Sequence, residues 1–147
     1  MQTFLPHSDF VKSARVLDRK RLGKQRLEVI QILSTLSGAS TGWSNHPAVR
    51  MWYGNERSLS LYGLVVCDEW IARGYVDNCR TRIQLFYHRY AAQTSVPHWL
   101  GDRDFHRSHQ SNLLRKLPSH YRQYWPDVPN NLPYVWPTAS KRATGKL

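Results

Sequence analysis

Between Leu17 and Leu36 the chain reads LDRKRLGKQRLEVIQILSTL, and its apolar residues recur at helical rather than strand spacing. At 100° per residue, Leu22, Val29, Leu33 and Leu36 share one stripe, with Ile30 and Ile32 beside it. Lys20, Arg21, Lys24, Glu28 and Gln31 fall on the opposite side. The pattern predicts one helix that starts after an N-cap at Ser8 or Asp9 and ends near Ser37 and Gly38.

The other elements follow from the same periodicity. Residues 1–10 form a short extended arm with Pro6. Pro47 suits the first turn of a second helix capped by Asn45, which carries Val49, Met51 and Trp52 as far as Gly54. A third helix runs from about Glu56 to Arg73, with Leu61, Leu64, Val65, Trp70 and Ile71 inward and Gly74 closing it. Asp77 or Asn78 opens a fourth through Tyr90, with Ile83 and Phe86 inward, and Thr94 to Gly101 is a loop. Asp104 to Leu117 reads as a fifth helix, stopped by Pro118. Five prolines from Pro118 to Pro137 bar long regular elements, and no alternating strand pattern stands out. The expected fold is all-α: a compact single-domain helical bundle over residues 1–147, with an irregular tail over 118–147 rich in proline and aromatic residues.

Charge gives this architecture a direction. There are 21 Lys and Arg against 10 Asp and Glu, a net +11, which calls for an anionic partner, and nucleic acid is the common one. The polar face of the first helix is mostly cationic, with one carboxylate, Glu28, among the bases. Phosphates are drawn to such a face, and an acid or base stands where they arrive. The plainer reading is a solvated helix with a Lys24–Glu28 pair at i,i+4. No apolar run approaches the roughly 20 residues of a membrane span. The N-terminus lacks the pattern of a signal peptide. Cys67 and Cys79 form no CxxC motif and read as reduced thiols in the cytoplasm.

The basic candidates for binding DNA are Lys20, Arg21, Lys24 and Arg26 on the first helix and Arg115 and Lys116 on the last. The stretch YRQYWPDVPNNLPYVW adds rings that stack on bases, and Tyr121, Tyr124 and Trp125 lie closest to the basic pair. Tyr134 and Trp136 equally serve to staple the tail to the bundle. His46, His106 and His109 invite a metal reading, but histidines at i,i+3 without Cys or paired carboxylates make a weak ligand set. No metal or other cofactor is expected. His46, His106 and His109 read instead as hydrogen-bond donors to phosphate or as satisfied packing residues.

The series LDRKRLGKQRLE, NHPAVRMW, EWIARGY, FHRSHQSNLLRK and HYRQYWP, in that order, resembles the pyrimidine-dimer DNA glycosylase family, the endonuclease V type first known from phage. The resemblance covers most of the chain and is strongest in the first helix and EWIARGY. It implies an all-α domain that cleaves the glycosidic bond at a UV-induced pyrimidine dimer and then performs β-elimination, without a metal. It also implies an α-amine that attacks the sugar C1′ and an essential first-helix glutamate, which matches Glu28. Arg21 matches a basic DNA contact approximately, and Lys116 matches one near the C-terminus. Leu27 and Gln31 stand where the family carries arginines, so Lys24 and Arg26 are the available substitutes.

One departure concerns the nucleophile. Residue 2 is Gln, whose bulk keeps an initiator methionine in place, so Met1 takes the nucleophilic position. An α-amine, at about pKa 8, starts closer to neutrality than a lysine, which leaves Lys20 and Lys24 as alternatives. The expected pair is therefore Met1 and Glu28, in a monomer acting on double-stranded DNA with a damaged pyrimidine turned out of the stack. The expected location is the cytoplasm of a bacterial or phage-infected cell, in association with the nucleoid. Two other readings stay open: a non-catalytic DNA-binding protein on this scaffold, and a glycosylase for another modified pyrimidine.

Overall fold

The computed structural model describes residues 1–137. It holds seven helices and no strand among them: α1 (Phe10–Val16), α2 (Arg19–Leu36), α3 (Pro47–Arg50), α4 (Glu56–Ala72), α5 (Arg80–Arg89), α6 (Arg103–Lys116) and α7 (Pro118–Tyr121). The all-α expectation holds. None of the helices is long and apolar enough to cross a membrane. Residues 138–147 of the expected tail lie outside the described residues.

The predicted first helix is two. Asp9 does cap α1, accepting the Lys12 N–H, but the chain turns extended at Leu17 and Asp18 before α2 begins. The break has a long-range cause. The Asp18 N–H, which a continuous helix would spend on its own carbonyls, donates instead to the Tyr121 hydroxyl at 3.0 Å. Elsewhere the boundaries move by one to three residues, and α3 ends at Arg50, so Met51 and Trp52, expected on it, lie in the turn that follows. His46 rather than Asn45 caps α3, its Nδ1 accepting the Ala48 N–H at 3.0 Å. Asp77 serves α5 from outside, its Oδ2 accepting the N–H groups of Cys79 and Arg80. Pro118 both stops α6 and opens the one-turn α7.

The core forms where α4 packs between α2 and α5. From α2 it takes Leu22, Val29, Ile32 and Leu33, all fully buried, each contributing about 1.5–3 kcal/mol by leaving water. On α4 the expected inward set holds in part: Leu64 is buried and Val65 and Trp70 pack against the core. Leu59, Tyr62, Val66 and Cys67 point inward, while Leu61 and Ile71 are exposed. Gly63 explains the close approach: a Cβ there would lie 2.7 Å from Val29 Cγ1 and 3.1 Å from the Ile83 side chain, so α2, α4 and α5 meet where α4 has no side chain. Cys67 and Cys79 are buried and unbonded to each other.

Candidate active site

The N-terminal arm is laid into the bundle. Gln2, Thr3, Phe4 and Leu5 are all buried, so their backbone polar groups need partners inside the protein. Side chains of α2, α4 and α6 supply them, and Trp52 adds a bond to the Thr3 side chain. Gln25 of α2 accepts the Phe4 N–H at 2.9 Å and donates to the Gln2 carbonyl at 2.7 Å. Tyr62 of α4 turns its hydroxyl to the Phe4 carbonyl at 2.7 Å and to Gln25 Oε1 at 2.8 Å. Trp52, just past α3, donates its indole N–H to the Thr3 hydroxyl at 3.0 Å. From α6, His109 Nδ1 accepts the Leu5 N–H at 2.9 Å and His106 Nδ1 donates to the Leu5 carbonyl at 2.7 Å.

These bonds fix both imidazoles as neutral. The Leu5 carbonyl only accepts, so His106 carries its proton on Nδ1, and its Nε2 accepts the Gly101 N–H. The Leu5 N–H only donates, so the proton of His109 is on Nε2. Burial, with the neighbouring His106, lowers the His109 pKa to about 3.

The arm delivers the amine of Met1 to Glu28. The Met1 nitrogen stands 4.0 Å from Glu28 Oε2, and the same oxygen accepts the Gln2 N–H at 2.7 Å. Glu28 is only 6 % exposed, so this is not the solvated carboxylate of a surface pair, and among the described residues its ion-pair partner is the amine, not Lys24. His46 is within electrostatic reach of both groups. Its pKa is lowered by burial and by the Met1 amine, while Glu28 pulls the other way. Trp43 and Trp136 set their rings edge-on to His46, at 5.7 and 6.2 Å.

The outward stripe of α2 is Lys20, Lys24, Leu27 and Gln31, spaced so that one side of the helix presents all four. Arg21 is half-buried and reaches back to Asp18 at 3.2 Å. Arg115 and Lys116 are exposed at the end of α6, with Arg115 bonded to Asn112 and to the Asn130 carbonyl. Tyr124 is exposed too.

Four expected DNA contacts are placed inside the protein instead. Arg26 lies over the Trp70 ring and pairs with Asp77 at 2.8 Å, because α5 brings a carboxylate against that side of α2. His109 has no exposed surface, its acceptor nitrogen being spent on the arm. Tyr121 is fully buried against Asp18, and Trp125 stacks on it at 5.6 Å, with planes 7° apart. Burial raises the Asp18 pKa, but the Tyr121 hydroxyl and Arg21 lower it further, so the carboxyl sits below its ordinary value. Tyr134 and Trp136 pack on the bundle as staples, Tyr134 edge-on to His109.

Sequence reasoning missed Gln2, Gln25 and Tyr62, whereas His106 is a satisfied packing residue, one of the two roles read for it. Gln25 carried a signal, since it precedes Glu28 by three residues and so shares its face of α2. Among the described residues no group of three or more His, Cys, Asp or Glu side chains is arranged to hold a metal ion.

An all-helical basic domain whose N-terminal arm is locked onto a carboxylate-bearing helix matches one family model. The family model described as pyrimidine dimer DNA glycosylase matches residues 1–83, the arm through the first turn of α5. That is more than half of the 147 residues, and the chain belongs to this family of DNA repair glycosylases. Family membership implies DNA carrying pyrimidine dimers as the substrate. The match contains Met1, Glu28, His46 and the cationic stripe of α2, whereas α6 and the aromatic segment after it lie beyond its end. Searches of curated proteins and of solved structures gave no match.

Proposed function

We propose that this protein excises the damaged pyrimidine and then cuts the strand, using the α-amine of Met1 as nucleophile and Glu28 as its acid–base partner. The observation that carries the proposal is the 4.0 Å approach of the Met1 nitrogen to Glu28 Oε2 in a buried setting. The unprotonated amine attacks C1′, the N-glycosidic bond breaks, and its electron pair leaves with the base. Glu28 stabilises the positive charge that develops on the sugar. Ring opening gives an imine between Met1 and C1′. Glu28 then accepts a proton from C2′, the C3′–O bond breaks, and its pair departs on the 3′ phosphate. Water releases the amine.

The arrangement favours the α-amine over Lys20 or Lys24. Both lysines stand on the exposed stripe, and neither pairs with Glu28 among the described residues. Because Glu28 is buried, the sugar reaches it only as part of a nucleotide turned out of the duplex, which a lesion makes cheaper by weakening stacking. The protein acts as a monomer, with Lys20, Lys24 and Lys116 meeting phosphates.

Borohydride trapping on UV-irradiated and abasic duplexes tests the proposal. A covalent adduct on the N-terminal peptide supports it. No adduct on either duplex overturns it and leaves a DNA-binding protein, while an adduct on Lys20 or Lys24 overturns the assignment of Met1.

A further inference from the structure

One face of α6 carries Ser108, Ser111, Asn112 and Arg115, at i, i+3, i+4 and i+7, and the first three are buried. What they hold is the irregular segment after α7. The Arg115 guanidinium donates to the Asn130 carbonyl at 2.6 Å, and the Asn112 amide donates to the Leu132 carbonyl at 3.2 Å. The Ser111 and Ser108 hydroxyls accept the N–H groups of Leu132 and Val135 at 3.0 and 3.1 Å. Among the described residues, 129–137 make no backbone-to-backbone hydrogen bond, and Pro129, Pro133 and Pro137 have no N–H to make one with. A segment fixed through side chains alone opens at a lower free energy than the helices around it.

This segment ends against the arm. The Tyr134 ring stands edge-on to His109 at 5.6 Å, and His109 holds the Leu5 N–H. Burial raises the pKa of the Tyr134 hydroxyl, the Gln2 side chain, Arg115 and Arg21 oppose that, and Glu28 adds to it, so Gln2 and Glu28 both lie within its reach. Trp136 packs on Tyr134 at 5.5 Å and edge-on to His46 at 6.2 Å. Two buried donors in this neighbourhood, Gln2 Nε2 and the protonated His109 Nε2, have no hydrogen-bond partner among the described residues. A contact built to stay shut pairs its buried donors, whereas these two are covered and left unused.

We infer that residues 132–136 are a strap that shuts the reaction centre of the DNA-free protein and must come off α6 before a nucleotide reaches Met1 and Glu28. The inference rests on the reading of Met1 and Glu28 as the reacting pair. Glu28 is only 6 % exposed, and a sugar has to touch both groups, so something beside them must move. The arm is the poorer candidate, because it carries the amine and is tied down by α2, α4 and α6. The strap carries neither reacting group, and its hydrogen bonds run to α6 alone among the described residues. It keeps the amine from reacting until DNA is bound.

Two measurements test this without the cutting chemistry. In the first, amide hydrogen exchange is followed by NMR in the free protein and on a duplex holding a tetrahydrofuran abasic analogue, which forms no imine. The Leu132 and Val135 amides exchange slowly in the free protein and at least about tenfold faster in the complex, as their serine acceptors are lost. Protection that stays or rises in the complex overturns the inference. In the second, the free protein is treated with acetic anhydride and the modified amines are mapped by mass spectrometry. Native Met1 is acetylated more slowly than the exposed Lys20, and Ser108→Ala combined with Ser111→Ala speeds Met1 severalfold without changing Lys20. Equal Met1 rates in the native protein and in a double variant with native circular dichroism overturn it as well. A double variant that does not fold leaves the decision to the exchange measurement on the native protein. Borohydride trapping separates the strap from the chemistry. An adduct on Met1 with the strap still bonded removes the strap alone, whereas a strap that lifts without any adduct removes the chemistry and leaves the movement.

Discussion

Gln25 and Gln2 are joined side chain to backbone, the Gln25 amide donating to the Gln2 carbonyl at 2.7 Å, three residues along α2 before Glu28. Since the other end of that amide accepts the Phe4 N–H, one side chain holds two points of the arm. Gln25→Leu removes both bonds and leaves the Gln2 carbonyl and the Phe4 N–H buried without them, at a cost of about 1–3 kcal/mol each. Thermal unfolding is expected to shift down, and strand cutting to fall more than duplex affinity does. Cutting at the native rate would show that the arm does not set the amine.

Glu28→Gln tests the carboxylate separately from the docking of the arm. The amide oxygen still accepts the Gln2 N–H, so the arm stays in place, while the charge beside Met1 disappears. Strand cutting should fall by at least about 10², the scale for a positioned acid–base group. Affinity for duplex DNA, measured by fluorescence anisotropy, should hold or rise slightly as a negative charge is lost.

Extension of the N-terminus by one residue tests the amine itself. An added residue displaces the nitrogen by up to about 3.5 Å, beyond a reactive contact of about 3 Å. Cutting and borohydride trapping should both vanish, with salt-dependent binding intact. An extended protein that cuts like the native one rules out the Met1 amine.

Arg26 and Lys24, two residues apart, should respond in opposite ways. Lys24→Ala should lower the slope of log affinity against log salt by about 0.9 and leave stability nearly unchanged. Arg26→Ala should leave that slope alone and cost roughly 3 kcal/mol, because it removes the partner of a buried carboxylate, Asp77. Equal salt slopes for the two variants would return Arg26 to the DNA-facing surface.

Acid should loosen the arm. The His109 pKa falls from its ordinary 6.5 to about 3 in the folded protein, so the unfolded chain binds the extra proton first. Stability is complete above about pH 6.5 and is lost on acidification, at about 1.4 kcal/mol per pH unit until pH 3 is approached. His109→Asn keeps an acceptor for the Leu5 N–H without a titrating ring, so its unfolding midpoint should depend less on pH over that range. Parallel curves for the two proteins would show that His109 does not govern the acid sensitivity.

What was legible in the sequence was what is local. The stripe of Leu22, Val29 and Leu33 repeats at helical spacing, and its burial followed from that alone. Glu28 was legible as the one carboxylate among bases, but its burial was not, since the group that covers it is 26 residues away in the arm. The split between α1 and α2 was hidden for the same reason: nothing near Asp18 breaks a helix, and the cause is a hydroxyl 103 residues on. Tyr121 and Trp125 looked like surface aromatics because they follow a basic pair, yet Asp18 draws them inward. Arg26 misled in the opposite sense, a cation in a cationic run whose partner arrives with α5. Local pattern fixes which face of a helix is apolar. It does not fix which polar residues another part of the chain will cover.

The bond from the Leu5 N–H to His109 spans 104 residues, and it gives the protein an order of assembly. At about 5–20 residues per second, the ribosome takes roughly 5–20 seconds after making the arm to reach α6. During that interval the helix that anchors Leu5 does not exist, and the arm has only Gln25, Glu28, Trp52 and Tyr62 of its partners to hold it. The group proposed to do the chemistry is thus the earliest part of the chain to be made and among the last to be set.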